Sequence, residues 1–166
     1  MNKLSKRKAA KSVSTYDFST LYTNIPHDKL IKTLSTVIDF ALKGRTQGKI
    51  SITSYGIANW CNSSKYFVFE IKSLKKAVEY VINNCYFAIG NQVFQQIIAI
   101  PLGLDLAPFF TNLFLFYHKW QYINNLKKEN LVSARKFCYT FRFIDDLITI
   151  NNTNFEINIR NIYPAQ

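Results

Sequence analysis

The sequence predicts an α+β domain, and three features carry that prediction. Tyr139, Phe141 and Phe143 alternate with Thr140, Arg142 and Ile144, a strand-like period of two, and residues 147–150 form a second short, β-branched run. Residues 85–89 and 92–98 flank Gly90-Asn91, the pattern of a hairpin with a two-residue turn. Residues 26–43 and 108–128 repeat apolar side chains at helical spacing. At 166 residues the chain is long enough to bury one core.

Taken in order, the chain begins with Lys3, Lys6, Arg7, Lys8 and Lys11, read as a solvated basic end. Residues 13–18 are β-prone and run into Asp17. Residues 19–25 are polar and turn-like. Pro26 suits a first helical turn and Asp28 its positive end; Leu30, Ile31, Leu34, Val37, Ile38 and Leu42 then make an amphipathic helix stopped by Gly44. Residues 45–54 read as an exposed loop and 52–60 as a second helix. Residues 66–69 suit a short strand. Ser73 suits the N-cap of a helix through Ala77, Val78, Val81 and Ile82. The helix over 108–128 is apolar on more than one face early on, so it is expected to be buried. Residues 131–136 read as a connector, 151–154 as a polar turn and 155–163 as a tail of no assigned structure.

Composition narrows the function. Hydrophobic residues make up 48% and charged ones 19%, which excludes a disordered chain. The formal net charge of +11 favours a polyanionic partner, nucleic acid first and an anionic membrane surface second. Cys61, Cys85 and Cys138 are far apart and odd in number, so buried, reduced thiols are expected rather than a disulfide framework or a zinc site. The basic start lacks the apolar core of a signal peptide. The most apolar stretch, 97–117, is broken by Pro101, Gly103, Asp105 and Pro108, which a spanning helix would not carry. The expectation is a soluble, intracellular protein, nuclear or cytoplasmic, that is not secreted and engages no membrane.

The candidate chemistry lies in a few carboxylates. The chain holds ten acidic residues, and Asp28 and Asp39 fall on a predicted helix face, where solvation explains them. Asp17 instead ends an apolar strand. Asp145 and Asp146 sit at the tip of a predicted strand pair, and taken alone they are explained by the preference of Asp for turns. Strand-end carboxylates on neighbouring strands can meet at one edge of a sheet. Clustered carboxylates repel unless a cation lies between them. Hard oxygen donors suit Mg²⁺ or Mn²⁺. Two such ions about 4 Å apart stabilise the attacking and leaving oxygens of a phosphoryl displacement.

Three blocks now stand in order. Tyr16-Asp17-Phe18-Ser19-Thr20-Leu21-Tyr22-Thr23-Asn24-Ile25-Pro26 resembles motif A of reverse transcriptases. Ile100-Pro101-Leu102-Gly103, continuing to Ala107-Pro108 and Asn112-Leu113-Phe114, resembles motif B. Phe143-Ile144-Asp145-Asp146 resembles motif C. Gly103 follows Asp17 by 86 positions and Asp145 follows Gly103 by 42. The wording is most similar to the Penelope-like branch of retroelement polymerases.

The resemblance implies an RNA-directed DNA polymerase with a right-hand fold. This chain would supply the palm, an antiparallel sheet packed on helices, and the part of the fingers inserted between motifs A and B. Asp17 and Asp145 would bind two Mg²⁺ or Mn²⁺ ions. The Phe18 carbonyl would be a further ligand, and Asp146 a catalytic partner in a supporting role. Tyr22 would lie under the nucleotide sugar and exclude a 2′-OH. Leu102 and Gly103 would border the nucleotide, with Gly103 permitting close backbone approach. The implied partners are an RNA template, a DNA primer and a dNTP.

Some positions depart from the pattern. Phe143 stands where Tyr is usual, Leu102 where the Penelope-like branch has Met, and Leu104-Asp105-Leu106 where Thr-Asn-Cys is more usual. Gln95-Gln96 stands where relatives tend to have Arg-Gln. Asp105 adds negative charge near the expected nucleotide position. Sixteen residues precede Asp17 and twenty follow Asp146, so the whole of 1–166 reads as a partial reverse transcriptase domain without the upstream fingers and thumb. Such a fragment is expected to be inactive by itself. The alternative is a catalytically inactive, nucleic-acid-binding remnant. An RNA-dependent RNA polymerase is a third reading, against which Tyr22 argues.

Overall fold

The computed structural model describes residues 10–18, 24–43, 49–53, 55–56, 58–59, 67–101, 103–143, 145–153 and 155–163. The elements in order are β1 (Val13–Asp17), α1 (His27–Leu42), β2 (Lys49–Ile52), β3 (Ala58–Asn59), β4 (Phe67–Glu70), α2 (Ile71–Asn83), β5 (Tyr86–Ile89), β6 (Gln92–Gln95), α3 (Ala107–Glu129), α4 (Leu131–Arg135), a 3₁₀ turn (Lys136–Tyr139), β7 (Thr140–Phe143), β8 (Asp146–Ile150) and α5 (Phe155–Ile162). The fold is mixed α+β with small antiparallel sheets. It divides into two compact units, Met1–Asn24 with Phe114–Gln166, and Ile25–Leu113.

The first unit is built on the sheet β1-β8-β7, with β8 in the centre. The period of two read around Asp145 produces the β7–β8 hairpin, in which Phe143 pairs with Asp146 and Thr140 with Thr149. β1 adds to the other side of β8, pairing Val13 with Ile150 and Asp17 with Asp146. Alternation sorts the side chains onto two faces. Leu147, Thr149 and Thr140 are buried on one face, while Asp146, Ile148, Phe141 and Phe143 are exposed on the other.

Aromatic rings close the covered face. Phe155 lies 5.2 Å from Tyr16 and 6.0 Å from Phe137, and Phe137 lies 5.6 Å from Tyr122, centroid to centroid. The Tyr122 hydroxyl donates to Asn158 Oδ1 at 2.9 Å. This corrects the tail expected over 155–163: it forms α5, and Phe155, Ile162 and Tyr163 are core residues. The apolar positions 155, 159 and 162 share a helix face, but Asn158 and Asn161 dilute the signal. The connector expected over 131–136 contains α4, whose first turn is capped by Asn130 Oδ1 accepting from Ser133 N–H.

In the second unit α1 packs against α2. Leu30, Leu34 and Ile82 are buried, and Lys75 Nζ reaches Asp39 Oδ2 at 2.6 Å. A second sheet runs β3-β2-β4. Within the loop expected over 45–54, residues 49–52 are strand, and within the helix expected over 52–60, residues 52 and 58–59 are strand; residues 45–48, 54, 57 and 60 lie outside the described residues. Ile50 and Ile52 alternate with Ser51, which is buried in the central strand, and pairing with β4 decides the local structure. Pairing of that kind joins distant residues and leaves little trace in a short run. α2 begins directly after β4, so Glu70 takes the N-cap position and Ser73 lies inside the first turn, not at the cap.

The β5–β6 hairpin turns at Gly90-Asn91, with Gly90 at φ +59°, a left-handed value suited to glycine. β6 ends at Gln95, short of the expected Ile98, which instead forms a bridge with Pro26. The early turns of α3 bury Ala107, Phe110, Phe114 and Leu115, but Phe109, Leu113 and Phe116 are exposed, so the expectation of burial on several faces is corrected to one. Among the described residues no helix is long and apolar enough to cross a membrane.

Candidate functional site

Asp17 ends β1 because its neighbours are held from the other side. Tyr16 packs on Phe155, and Phe18 is buried with its ring edge-on to Tyr163 at 5.0 Å. With both flanks packed, alternation turns the Asp17 side chain to the exposed face. Asp146 opens β8 directly opposite and is also exposed. Such partners lie roughly 4.5–5.5 Å apart at Cα, on the same face of the sheet. The Phe18 N–H donates to the Asp145 carbonyl oxygen at 3.2 Å, so the backbone after β1 is tied to the turn that carries Asp145, a half-buried residue. Asp17, Phe18, Asp145 and Asp146 are thus brought together at one end of one sheet. The register sets Asp146, rather than Asp145, across from Asp17.

Two opposed carboxylates weaken a strand pair. A divalent cation would offset that repulsion, and the donor set suits one: carboxylate oxygens on adjacent strands with a third carboxylate one residue away. Among the described residues no group of three or more His, Cys, Asp or Glu encloses a metal by itself. Mg²⁺ commonly takes one or two carboxylates and completes its shell with water and phosphate oxygens. The residues therefore fit a hard divalent ion shared with a phosphate-bearing ligand.

Beneath this face lies a pair of cations that sequence reasoning missed. Arg142 shares a register row with Leu147 and Tyr16, on the covered side. Lys119 on α3 donates from Nζ to the Thr140 carbonyl at 2.8 Å. Burial, and then the nearby Arg142 charge, push the Lys119 ammonium down to about 8. Tyr163 is pushed up to about 12 by burial, with Arg142 acting the other way. A lysine amid a long helix reads as a solvated charge, so only its place behind the sheet distinguishes Lys119.

The remaining predicted residues belong to the second unit or lie outside the described residues. Tyr22 and Leu102 are outside them. Gly103 stands in the turn before α3, where Leu104 N–H donates to the Pro101 carbonyl at 3.0 Å. A Cβ added at Gly103 would meet no described atom within 4 Å, so no described neighbour requires glycine there. Just upstream, Ala99 N–H donates to the Ile25 carbonyl at 2.8 Å, and the His27 ring N–H donates to the Ala99 carbonyl. The segments next to the motif A and motif B blocks are therefore joined within the second unit. Asp105 is exposed. Cys85 is buried and burial pushes its thiol up, whereas Cys138 is exposed, a correction to the expectation of buried thiols. No known family model matches the chain, and no curated protein matches its sequence.

Proposed function

We propose that this chain is the palm, with part of the fingers, of an RNA-directed DNA polymerase of retroelement type. The observation that carries the reading is the Asp17–Asp146 register pair, with Phe18 N–H bonded to the Asp145 carbonyl. It supports a metal-dependent carboxylate site assembled from two of three ordered sequence blocks. Asp17, Asp145, Asp146 and the Phe18 carbonyl would hold divalent cations, Mg²⁺ or Mn²⁺. Two such ions, when bound, supply charge neutralisation at the attacking primer oxygen and the leaving pyrophosphate oxygen. The chain's own residues keep the Asp17 and Asp146 carboxylates exposed and aligned: Tyr16 and Phe18 by packing, β8 by its register.

On this reading Tyr22 selects the deoxy sugar, and Leu102 and Gly103 border the nucleotide. The partners are an RNA template, a DNA primer and dNTPs. The test is primer extension on an RNA template by the chain joined to the fingers and thumb of a Penelope-like polymerase. Metal-dependent dNMP incorporation that disappears in Asp17→Asn and Asp145→Asn is expected. Equal activity in either mutant would sink the reading, and preference for rNTPs would turn it to an RNA-dependent RNA polymerase.

A second reading, strand binding without nucleotidyl transfer, is favoured by charge. The net charge is +11, and the two ion pairs found among the described residues, Lys49–Glu70 and Lys75–Asp39, use little of it. Salt-sensitive binding with no incorporation in the joined polymerase would select it.

A further inference from the structure

At the end of β8 away from Asp146, the first unit carries a cleft of about 590 Å³. Pockets of this size hold small ligands or segments of larger ones. Arg135, Lys136, Tyr139, Ile150 and Asn151 line it, with Cys138 among them. Ile150 lies four residues along β8 from Asp146, about 13 Å at strand rise.

Among the described residues the lining holds two cations and no carboxylate. Arg135 and Lys136 are exposed, and neither has an ion-pair partner among the described residues. Arg135 also lies in the last turn of α4, where a cation is favoured by the helix end. That accounts for one charge on a short helix and not for the second, nor for the ring beside them.

The opposite wall is fixed by Asn151, at φ +56°. Its Oδ1 accepts from Lys11 N–H at 2.7 Å and Ser12 N–H at 3.2 Å, and its own N–H donates to the Ser12 carbonyl. Lys11 is the last cation of the basic start, so the sequence's strongest charge run ends at this wall. Tyr139 is 39% exposed and offers a ring to a planar ligand. A free phosphate would use the cations and leave the ring idle. A phosphodiester strand uses both, because its charge recurs and every base has a stacking face.

We propose that this cleft seats single-stranded nucleic acid, with backbone phosphates on Arg135 and Lys136 and a base stacked on Tyr139. This goes beyond the polymerase reading and does not require it, since strand binding here uses none of the carboxylates. The test is fluorescence anisotropy of a labelled single-stranded oligothymidylate with the whole chain, across a salt series. Arg135→Ala/Lys136→Ala should weaken binding about tenfold or more at low salt and reduce the log–log salt slope by roughly 1.4. Tyr139→Ala should weaken it at least about fivefold. The control Lys127→Ala/Lys128→Ala, which removes exposed cations of α3 outside the cleft, should cost much less.

A second measurement is local. Saturating oligonucleotide should slow alkylation of Cys138 by N-ethylmaleimide, read peptide by peptide. The proposal is overturned by absence of binding, by equal losses in cleft and control variants, by an unaffected Tyr139→Ala, or by undiminished alkylation of Cys138. The cleft variants leave Asp17, Asp145 and Asp146 intact, and the primer-extension variants leave Arg135, Lys136 and Tyr139 intact, so failure of the cleft and failure of the polymerase reading are read in separate experiments.

Discussion

The Phe18 ring meets Tyr163 edge-on, with centroids 5.0 Å apart and planes at 83°. The residue after Asp17 is therefore held by the residue after α5, and the site end of β1 depends on a segment 146 positions away. Truncation of that ring should be costly. Tyr163→Ala is expected to destabilise the fold by about 3–5 kcal/mol, the usual range for an aromatic removed from a core. The Tyr163 hydroxyl is buried with no hydrogen-bond partner among the described residues, so Tyr163→Phe should be neutral or stabilising by about 1 kcal/mol. Urea unfolding of the two variants checks both signs.

Asp17 and Asp146 predict a trade between stability and metal binding. Without divalent ions, Asp17→Asn or Asp146→Asn should stabilise the chain by about 0.2–1 kcal/mol, because each removes a like-charge cross-strand pair. With Mn²⁺, paramagnetic broadening of NMR resonances should centre on Asp17, Asp145 and Asp146. Either mutation should weaken that ion by about tenfold or more, since even groups behind metal ligands matter that much. Broadening centred elsewhere, or unchanged in both mutants, would remove the metal site.

Lys119 and Tyr163 predict the alkaline pH dependence. The Lys119 ammonium loses its proton at about 8 in the folded chain, while an unfolded lysine keeps it to about 10.5. Between those values the unfolded state binds more protons, so stability should rise with pH. Tyr163 acts oppositely: the unfolded phenol ionises near 10 and the folded one is held protonated to about 12. Stability from Tyr163 is present below pH 10 and is lost as pH climbs toward 12. Denaturant midpoints should therefore rise from pH 8 to about 10 and fall above it. Lys119→Met should flatten the rising limb, and Tyr163→Phe the falling one.

Ala99 sits at φ +71°, buried, between the bonds to Ile25 and His27. A side chain in the left-handed region costs roughly 1–2 kcal/mol, part of which glycine returns as chain entropy. Ala99→Gly is thus expected to raise stability by up to about 1 kcal/mol. Thermal unfolding measures it, and a clear loss would show that the methyl group packs better than the strain costs.

The sheet of the first unit was largely legible in the sequence. The hairpin around Asp145 follows from period-two alternation, and β1 from a β-prone run ending in Asp17. Both helices read from apolar spacing differ from the structure only by a residue or so at their ends. What escaped depends on partners far along the chain. β2 and β3 are short, and only the pairing of β2 with β4 and of β3 with β2 makes them strands. α5 carries four polar or charged side chains between its apolar positions, so its core role appears only once Tyr16 and Phe137 pack against Phe155. At the candidate site, the sequence suggested that Asp17 and the Asp145-Asp146 pair could meet at one sheet edge, but not that Asp17 faces Asp146. A register is fixed by a whole ladder and not by either residue.

That ladder has a consequence for how the gene can change. Side-chain direction along β1 has a period of two, so inserting or deleting one codon between Ser12 and Asp17 would turn the Asp17 carboxylate toward the covered face or break the ladder from Val13–Ile150 onward. One added residue at Gly90-Asn91 meets no such constraint, because β5 and β6 are exposed on both faces. Frame-preserving length changes should therefore be tolerated very unevenly: purged near Asp17 while the site is under selection, and free to accumulate at the hairpin turn.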